Sequence, residues 1–86
     1  MKYSLVISDK AKVDIKSLDT VTQRRIVKKL KFFLDQENPL EYAKKLIDLT
    51  EGQYRWRIGP YRAIFDIQDM TIRLLRVQHR SVIYRK

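Results

Sequence analysis

The sequence predicts an α+β domain: a twisted antiparallel β-sheet of about four strands with an N-terminal helical hairpin packed on one face, in the order β-α-α-β-β-β. Three observations carry this expectation. Apolar residues recur at helical spacing from Ala11 to Leu34. From Gln53 the period changes to two, with Tyr54, Trp56 and Ile58 alternating with Arg55 and Arg57. Only short turn signals, Gly59-Pro60 and Gln68-Asp69-Met70, then separate the extended segments, which implies hairpins rather than long crossovers.

Each element has a local reason. Lys2 to Ile7 is short, β-branched and apolar, and reads as a first strand. Ser8 or Asp9 can cap a following helix, on which Ala11, Ile15 and Leu18 share one face. Asp19 or Thr20 can cap a second helix. Its apolar stripe is Ile26, Leu30, Phe33 and Leu34, with Arg24, Arg25, Lys28, Lys29 and Lys31 largely on the other side. Asn38 and Pro39 should stop it near Gln36. Residues 39 to 49 suggest a helical turn at 40 to 45 running into an extended segment. Strands follow at Tyr54 to Ile58, Tyr61 to Gln68 and Thr71 to Gln78, with a short strand or tail at Ser81 to Arg85.

Size and charge narrow the functions. Eighty-six residues make one small domain, expected to span 1–86. There is no cysteine, so neither disulfides nor thiolate metal sites are available. One histidine and scattered carboxylates offer no metal cluster, and two isolated glycines form no phosphate-cradling loop, so no cofactor is expected. No apolar run approaches the ~20 residues of a membrane span. The N-terminus is a poor signal peptide, so a cytoplasmic protein is expected. Net charge is +9 with a pI near 10.0, which favours polyanionic partners and a monomeric free chain. The excess is uneven: +3 over residues 1 to 53 and +6 over residues 54 to 86.

That excess is arginine. Arg55 and Arg57, two residues apart on a strand, point the same way about 7 Å apart. Arg62 begins the next strand just across the Gly59-Pro60 turn and should lie beside them. Three guanidinium groups at one hairpin repel one another unless an anion sits between them, and phosphate suits their planar forks. The competing structural reading pairs them with Asp48, Glu51, Asp66 or Asp69. His79 lies in sequence between Arg76 and Arg80, where a positive field favours a neutral ring able to take a proton from a ribose 2′-hydroxyl. Tyr84 can stack on a base or orient a hydroxyl. A cationic sheet with tyrosines points to RNA.

These residues resemble the RelE family of toxin–antitoxin ribonucleases, in the wider RelE/ParE superfamily. The likeness covers nearly the whole chain. The opening strand with AKVDIKSLD is similar to the family's first strand and helix, and VTQRRIVKKLKFFLDQENPLEYAKKL to its second helix and following loop. The most specific segments are GQYRWRIGPYRAIFDI, similar to the strand–turn–strand signature, and LRVQHRSVIYR, similar to the C-terminal catalytic edge.

The resemblance implies a toxin that cuts mRNA in the ribosomal A site without a metal. The ribose 2′-hydroxyl attacks the adjacent phosphate and leaves a 2′,3′-cyclic phosphate. It also implies an antitoxin that blocks the toxin, and operator DNA binding only as the antitoxin complex. Carried across, Arg62 stabilises charge on the transition-state phosphorane, Arg80 contacts phosphate and Tyr84 positions the nucleotide. Arg55 and Arg57 match basic positions near the scissile phosphate that are often lysines in the family; Arg76 joins them as an expected substrate ligand. Arginine is a poor general base, so proton transfer falls to His79, Tyr84 or water. The basic helix residues Arg24, Arg25, Lys28, Lys29 and Lys31 are the expected contacts to ribosomal RNA.

The alternative is a ParE-like inhibitor of DNA gyrase, which shares the fold but has no need of convergent phosphate ligands. A nonenzymatic nucleic-acid-binding module, or a degenerate toxin kept for antitoxin binding, would share the basic surface.

Overall fold

Ser8 ends the first strand and starts the first helix. The computed structural model describes residues 3–83. In it Ser8 has extended backbone angles, its hydroxyl oxygen accepts the Ala11 N–H at 3.1 Å, and the same hydroxyl donates to the Leu75 carbonyl at 2.9 Å. One side chain thus caps α1 (Asp9–Lys16) and ties it to the last strand. Asp19 caps α2 (Thr20–Asp35), its carboxylate accepting both the Thr22 N–H and the Thr22 hydroxyl. That hydroxyl bond, more than any other contact, holds the Asp19 carboxyl below the ordinary carboxylate value. Gln36 returns to extended angles, and a 3₁₀ turn follows at Pro39–Tyr42 with the Asn38 side chain accepting the Leu40 N–H.

Five strands form one sheet: β1 (Ser4–Ile7), β2 (Ala43–Lys45), β3 (Tyr54–Ile58), β4 (Tyr61–Gln68) and β5 (Thr71–His79), in the spatial order β1-β5-β4-β3-β2. The antiparallel meander expected from residue 54 onward is present, and β2 extends it. The sheet is mixed because β1 pairs with β5 in parallel, Ser4 opposite Thr71 through Ile7 opposite Leu74. The chain enters at one edge, crosses the sheet through the helices, and returns strand by strand to where it began. Of the segment expected as a short strand or tail, Ser81 to Arg85, the described residues belong to a short helix, α3 (Arg80–Ile83), and the rest lies outside the described residues.

The core lies between helices and sheet. Ile26, Leu30, Phe33 and Leu34 of α2 meet Trp56, Ile58, Ala63, Phe65, Ile72, Leu74 and Val77. Trp56 is the pivot, stacked between Phe33 at 4.6 Å and Phe65 at 3.9 Å between ring centroids. Its indole N–H donates to the Pro39 carbonyl at 3.0 Å, so a fully buried ring keeps its polar atom satisfied and fastens the 3₁₀ turn to β3. Burial of each such ring contributes roughly 1.5–3 kcal/mol.

The other sheet face is only partly open. The segment 46–53 folds over it, closed by the Leu46 N–H donating to the Gln53 carbonyl at 2.9 Å. Gly52, at φ 149°, sits so close to Ile64 that a Cβ there would lie 2.7 Å from the Ile64 Cγ2 methyl. Ile64 is consequently buried although it faces away from the helices. Leu75 is the extra residue of a β-bulge, since Ile64 pairs with Arg76 and Phe65 with Leu74, and it also packs against Gly52.

Candidate functional site

The two-residue turn at Gly59-Pro60 sets the geometry of the site. Gly59 has φ 57°, and the proline ring holds Pro60 at negative φ, the signs of a type II′ turn. Ile58 therefore closes on Tyr61, and Arg57 falls directly opposite Arg62. Directly opposed residues share a face, and Trp56 and Ala63 take the core side. Arg57 and Arg62 consequently lie together on the face away from the helices. Arg55, two residues from Arg57, joins them.

Arg80 completes the group from the other end of the chain. Its backbone N–H donates to the Pro60 carbonyl at 2.8 Å, which places the first residue of α3 at the hairpin corner. Arg55, Arg57, Gly59, Pro60, Tyr61, Arg62 and Arg80 line a depression of about 140 Å³. That is below the roughly 300–1,000 Å³ of a small-molecule pocket and suits a single anionic group. No carboxylate is among these described lining residues. A larger hollow of about 390 Å³ at the far end of the face is lined by Val6, Asp66, Gln68, Asp69, Thr71 and Arg73. Its mixed charge gives it no comparable anion preference.

His79 is placed beside the cluster and is already engaged. Its ring meets Tyr61 edge-on at 5.3 Å between centroids. Nδ1 accepts the Ser81 backbone N–H at 3.2 Å and lies 2.8 Å from the Ser81 hydroxyl. A nitrogen that accepts an N–H carries no proton, so the neutral ring has its proton on Nε2. His79 is therefore the cap of α3. In this tautomer the Nδ1 lone pair is engaged by the Ser81 N–H and the other ring nitrogen is a donor.

Arg76 is not part of the cluster. Its Nε donates to Asp14 Oδ2 at 2.8 Å and its Nη2 to Asp14 Oδ1 at 3.1 Å, a two-pronged ion pair. The hydrogen bonds to Asp14 raise the Arg76 pKa above its ordinary value. Asp14 also accepts the Val77 N–H at 2.9 Å. β1 stops opposite Leu74, so the outer edge of β5 beyond it needs another partner, and Ser8 and Asp14 of the helix end supply one. Arg76 thus fastens helix to sheet, where it had been expected to bind substrate.

Tyr84 lies outside the described residues. Arg24, Arg25, Lys28, Lys29 and Lys31 are all exposed on α2, with Lys29 Nζ 4.8 Å from the centre of the Phe32 ring. They occupy the helical layer, on the opposite side of the sheet from the arginine cluster. Lys44 was missed in the sequence. It pairs with Arg55 and so lies on the arginine face. Its only signal was a Lys-Lys pair inside an ambiguous segment. Gln78, opposite Arg62, was missed as well. Among the described residues, no helix is long and apolar enough to cross a membrane.

The family model for the ParE toxin of type II toxin–antitoxin systems, parDE, matches residues 5–84. Among solved structures, the toxin–antitoxin complex RelBE2 from Mycobacterium tuberculosis is similar at a TM-score of 0.80 and 28% identity, over 92% of this chain and 99% of that one. The archaeal RelE–RelB complex from Pyrococcus horikoshii OT3 is similar at 0.71 and 27%, over 93% and 97%. The chromosomal ParDE system from P. aeruginosa reaches 0.71 at 17%, over 91% and 96%, a likeness of fold. No curated protein gives a significant match.

Proposed function

The chain belongs to the ParE toxin family of type II toxin–antitoxin systems, within the RelE/ParE superfamily, and from that premise we propose that it is an endoribonuclease that cleaves mRNA, with the ribosomal A site as the place of cutting and a cognate antitoxin as its inhibitor. The observation that carries the reading is the convergence of Arg55, Arg57, Arg62 and Arg80 on one small depression. Like charges set directly opposite on a sheet weaken it. A fold keeps such an arrangement when the charges serve something other than the fold, and a phosphodiester is the ligand whose oxygens match guanidinium forks.

The chemistry follows from the donors. The ribose 2′-oxygen attacks the adjacent phosphorus, the bond to the 5′-oxygen breaks, and the products are a 2′,3′-cyclic phosphate and a 5′-hydroxyl. Negative charge builds on the non-bridging oxygens in the transition state. Arg62, on a strand and opposite Arg57, lines the depression in which it would build, and Arg80 lines the same depression from the hairpin corner. Arginine keeps its protons, so it supplies charge rather than base. His79 has an Nε2 proton to offer, which suits the departing 5′-oxygen better than activation of the 2′-hydroxyl. Tyr84 remains a candidate for orienting the nucleotide.

A second reading is inhibition of DNA gyrase, favoured by the description of the matching family as ParE. Primer extension on mRNA from cells after brief expression of the chain, beside Arg62→Ala, separates the two. Discrete cuts within translated codons, lost in the variant, support the ribonuclease. Intact mRNA with continuing growth arrest would sink it in favour of gyrase.

A further inference from the structure

The arginine depression is not the end of the cationic face. On the neighbouring edge strand Lys44 stands directly opposite Arg55, just as Arg57 stands opposite Arg62. The sheet therefore carries two transverse basic pairs, Arg57–Arg62 and Lys44–Arg55. They are separated by two residues along β3, about 7 Å. Lys44 is exposed on the short outer strand, with three ammonium protons to donate. Beyond Arg55 the face is obstructed, because Gly52 and its loop cover Ile64. A chain lying over the arginines meets this loop if it continues across Ile64, and the β2 edge, past Lys44, offers it another way off the sheet.

Resting on the ribonuclease reading, we propose that Lys44 and Arg55 form a second phosphate subsite, which binds the backbone phosphate next to the scissile one and sets the exit path of the RNA strand over the β2 edge. The spacing of the two pairs matches successive phosphates of an extended single strand. Lys44 is a positioning residue here, since the reacting phosphate belongs to the Arg57–Arg62 pair. Lys45, its neighbour on the same strand, pairs with Tyr54 on the core side and takes no part.

The test uses binding of a single-stranded 2′-O-methyl oligoribonucleotide, which lacks the attacking hydroxyl and stays intact. Affinity is measured against salt for the wild-type chain, Lys44→Ala, Lys44→Arg and Lys45→Ala. One lost phosphate contact on a single strand lowers the slope of log affinity on log salt by about 0.7. Lys44→Ala is expected to show that drop, Lys44→Arg to restore the slope, and Lys45→Ala to keep it. A wild-type slope in Lys44→Ala, or an equal drop in Lys45→Ala, overturns the subsite while leaving the ribonuclease reading intact. A wild-type chain that does not retain the oligonucleotide at all also overturns the subsite, and primer extension on cellular mRNA decides the ribonuclease reading separately.

Discussion

Arg57 and Arg62 stand directly opposite one another on the same face of the β3–β4 hairpin, a like-charge pair in register. Opposed like charges cost a sheet a few tenths of a kcal/mol, up to about 1 kcal/mol. A turn of another length would have separated them, and the Gly59-Pro60 turn does not. On the ribonuclease reading, function and stability pull in opposite directions here. Arg57→Gln, which keeps a polar side chain while removing the charge, is expected to leave the melting temperature unchanged or raise it by a few degrees. The same substitution should slow RNA cleavage by about 100-fold or more, as for loss of one charge-stabilising donor. Thermal melts beside a cleavage assay check both. A variant that melts earlier yet cuts normally would show the pair to be structural.

Asp14 is the converse case, a charged residue that works for the fold. Its carboxylate holds the Arg76 fork and the Val77 N–H together at the edge of β5. Asp14→Ala leaves that N–H without its partner and is expected to destabilise the chain by about 1–3 kcal/mol. Arg76→Ala keeps the Asp14–Val77 bond and is expected to cost less. Chemical denaturation of both variants gives the order. Cleavage by folded Arg76→Ala should stay close to wild type, and a collapse there would return Arg76 to the substrate surface.

These two sites show which features were legible in the sequence. The alternation from Tyr54 to Ile58 exposed the cationic face, and a two-residue turn fixes register, so Arg57 opposite Arg62 follows from local rules. Asp14 and Arg76 are 62 positions apart, and no local pattern announces their meeting. The same holds for β1, whose parallel partner β5 lies at the far end of the chain. Lys44 was obscure because its strand has only three residues, too few to display a period. α3 is hard to tell from a short strand or tail because its cap is a histidine rather than one of the usual small polar residues.

The α2 cap should respond to acid in a defined sense. The Thr22 hydroxyl, with backbone N–H groups, holds the Asp19 carboxyl below its ordinary value of 3.8. A depressed carboxyl contributes stability that is fully present above its unfolded pKa and is lost as pH falls through the lower folded value. The contribution is thus constant from neutral pH down to about pH 4–5, begins to fall near the ordinary value and is gone below the lower folded one. Asp19→Asn retains a capping side chain but cannot titrate. Its melting temperature is expected to fall less steeply than wild type below pH 4. Parallel acid limbs in the two proteins would show that the Asp19 charge adds nothing to the cap.

His79 offers the sharpest separation of a chemical role from a positional one. As the cap of α3 it needs only an acceptor where Nδ1 now meets the Ser81 N–H. Asparagine places an amide oxygen near that point and is itself a favoured cap, whereas alanine offers nothing. If capping is the role, His79→Asn should keep cleavage within a few-fold of wild type. His79→Ala should lose about 0.5–2 kcal/mol of stability along with part of its activity. A general base predicts another pattern: both variants fail equally, and the pH–rate profile loses the limb that reports the imidazole. A donor role at Nε2 predicts a third, in which His79→Gln, whose amide reaches the Nε2 position, outperforms His79→Asn. Stability and pH–rate profiles on the three variants therefore assign the ring to the fold, to the attacking oxygen or to the departing one.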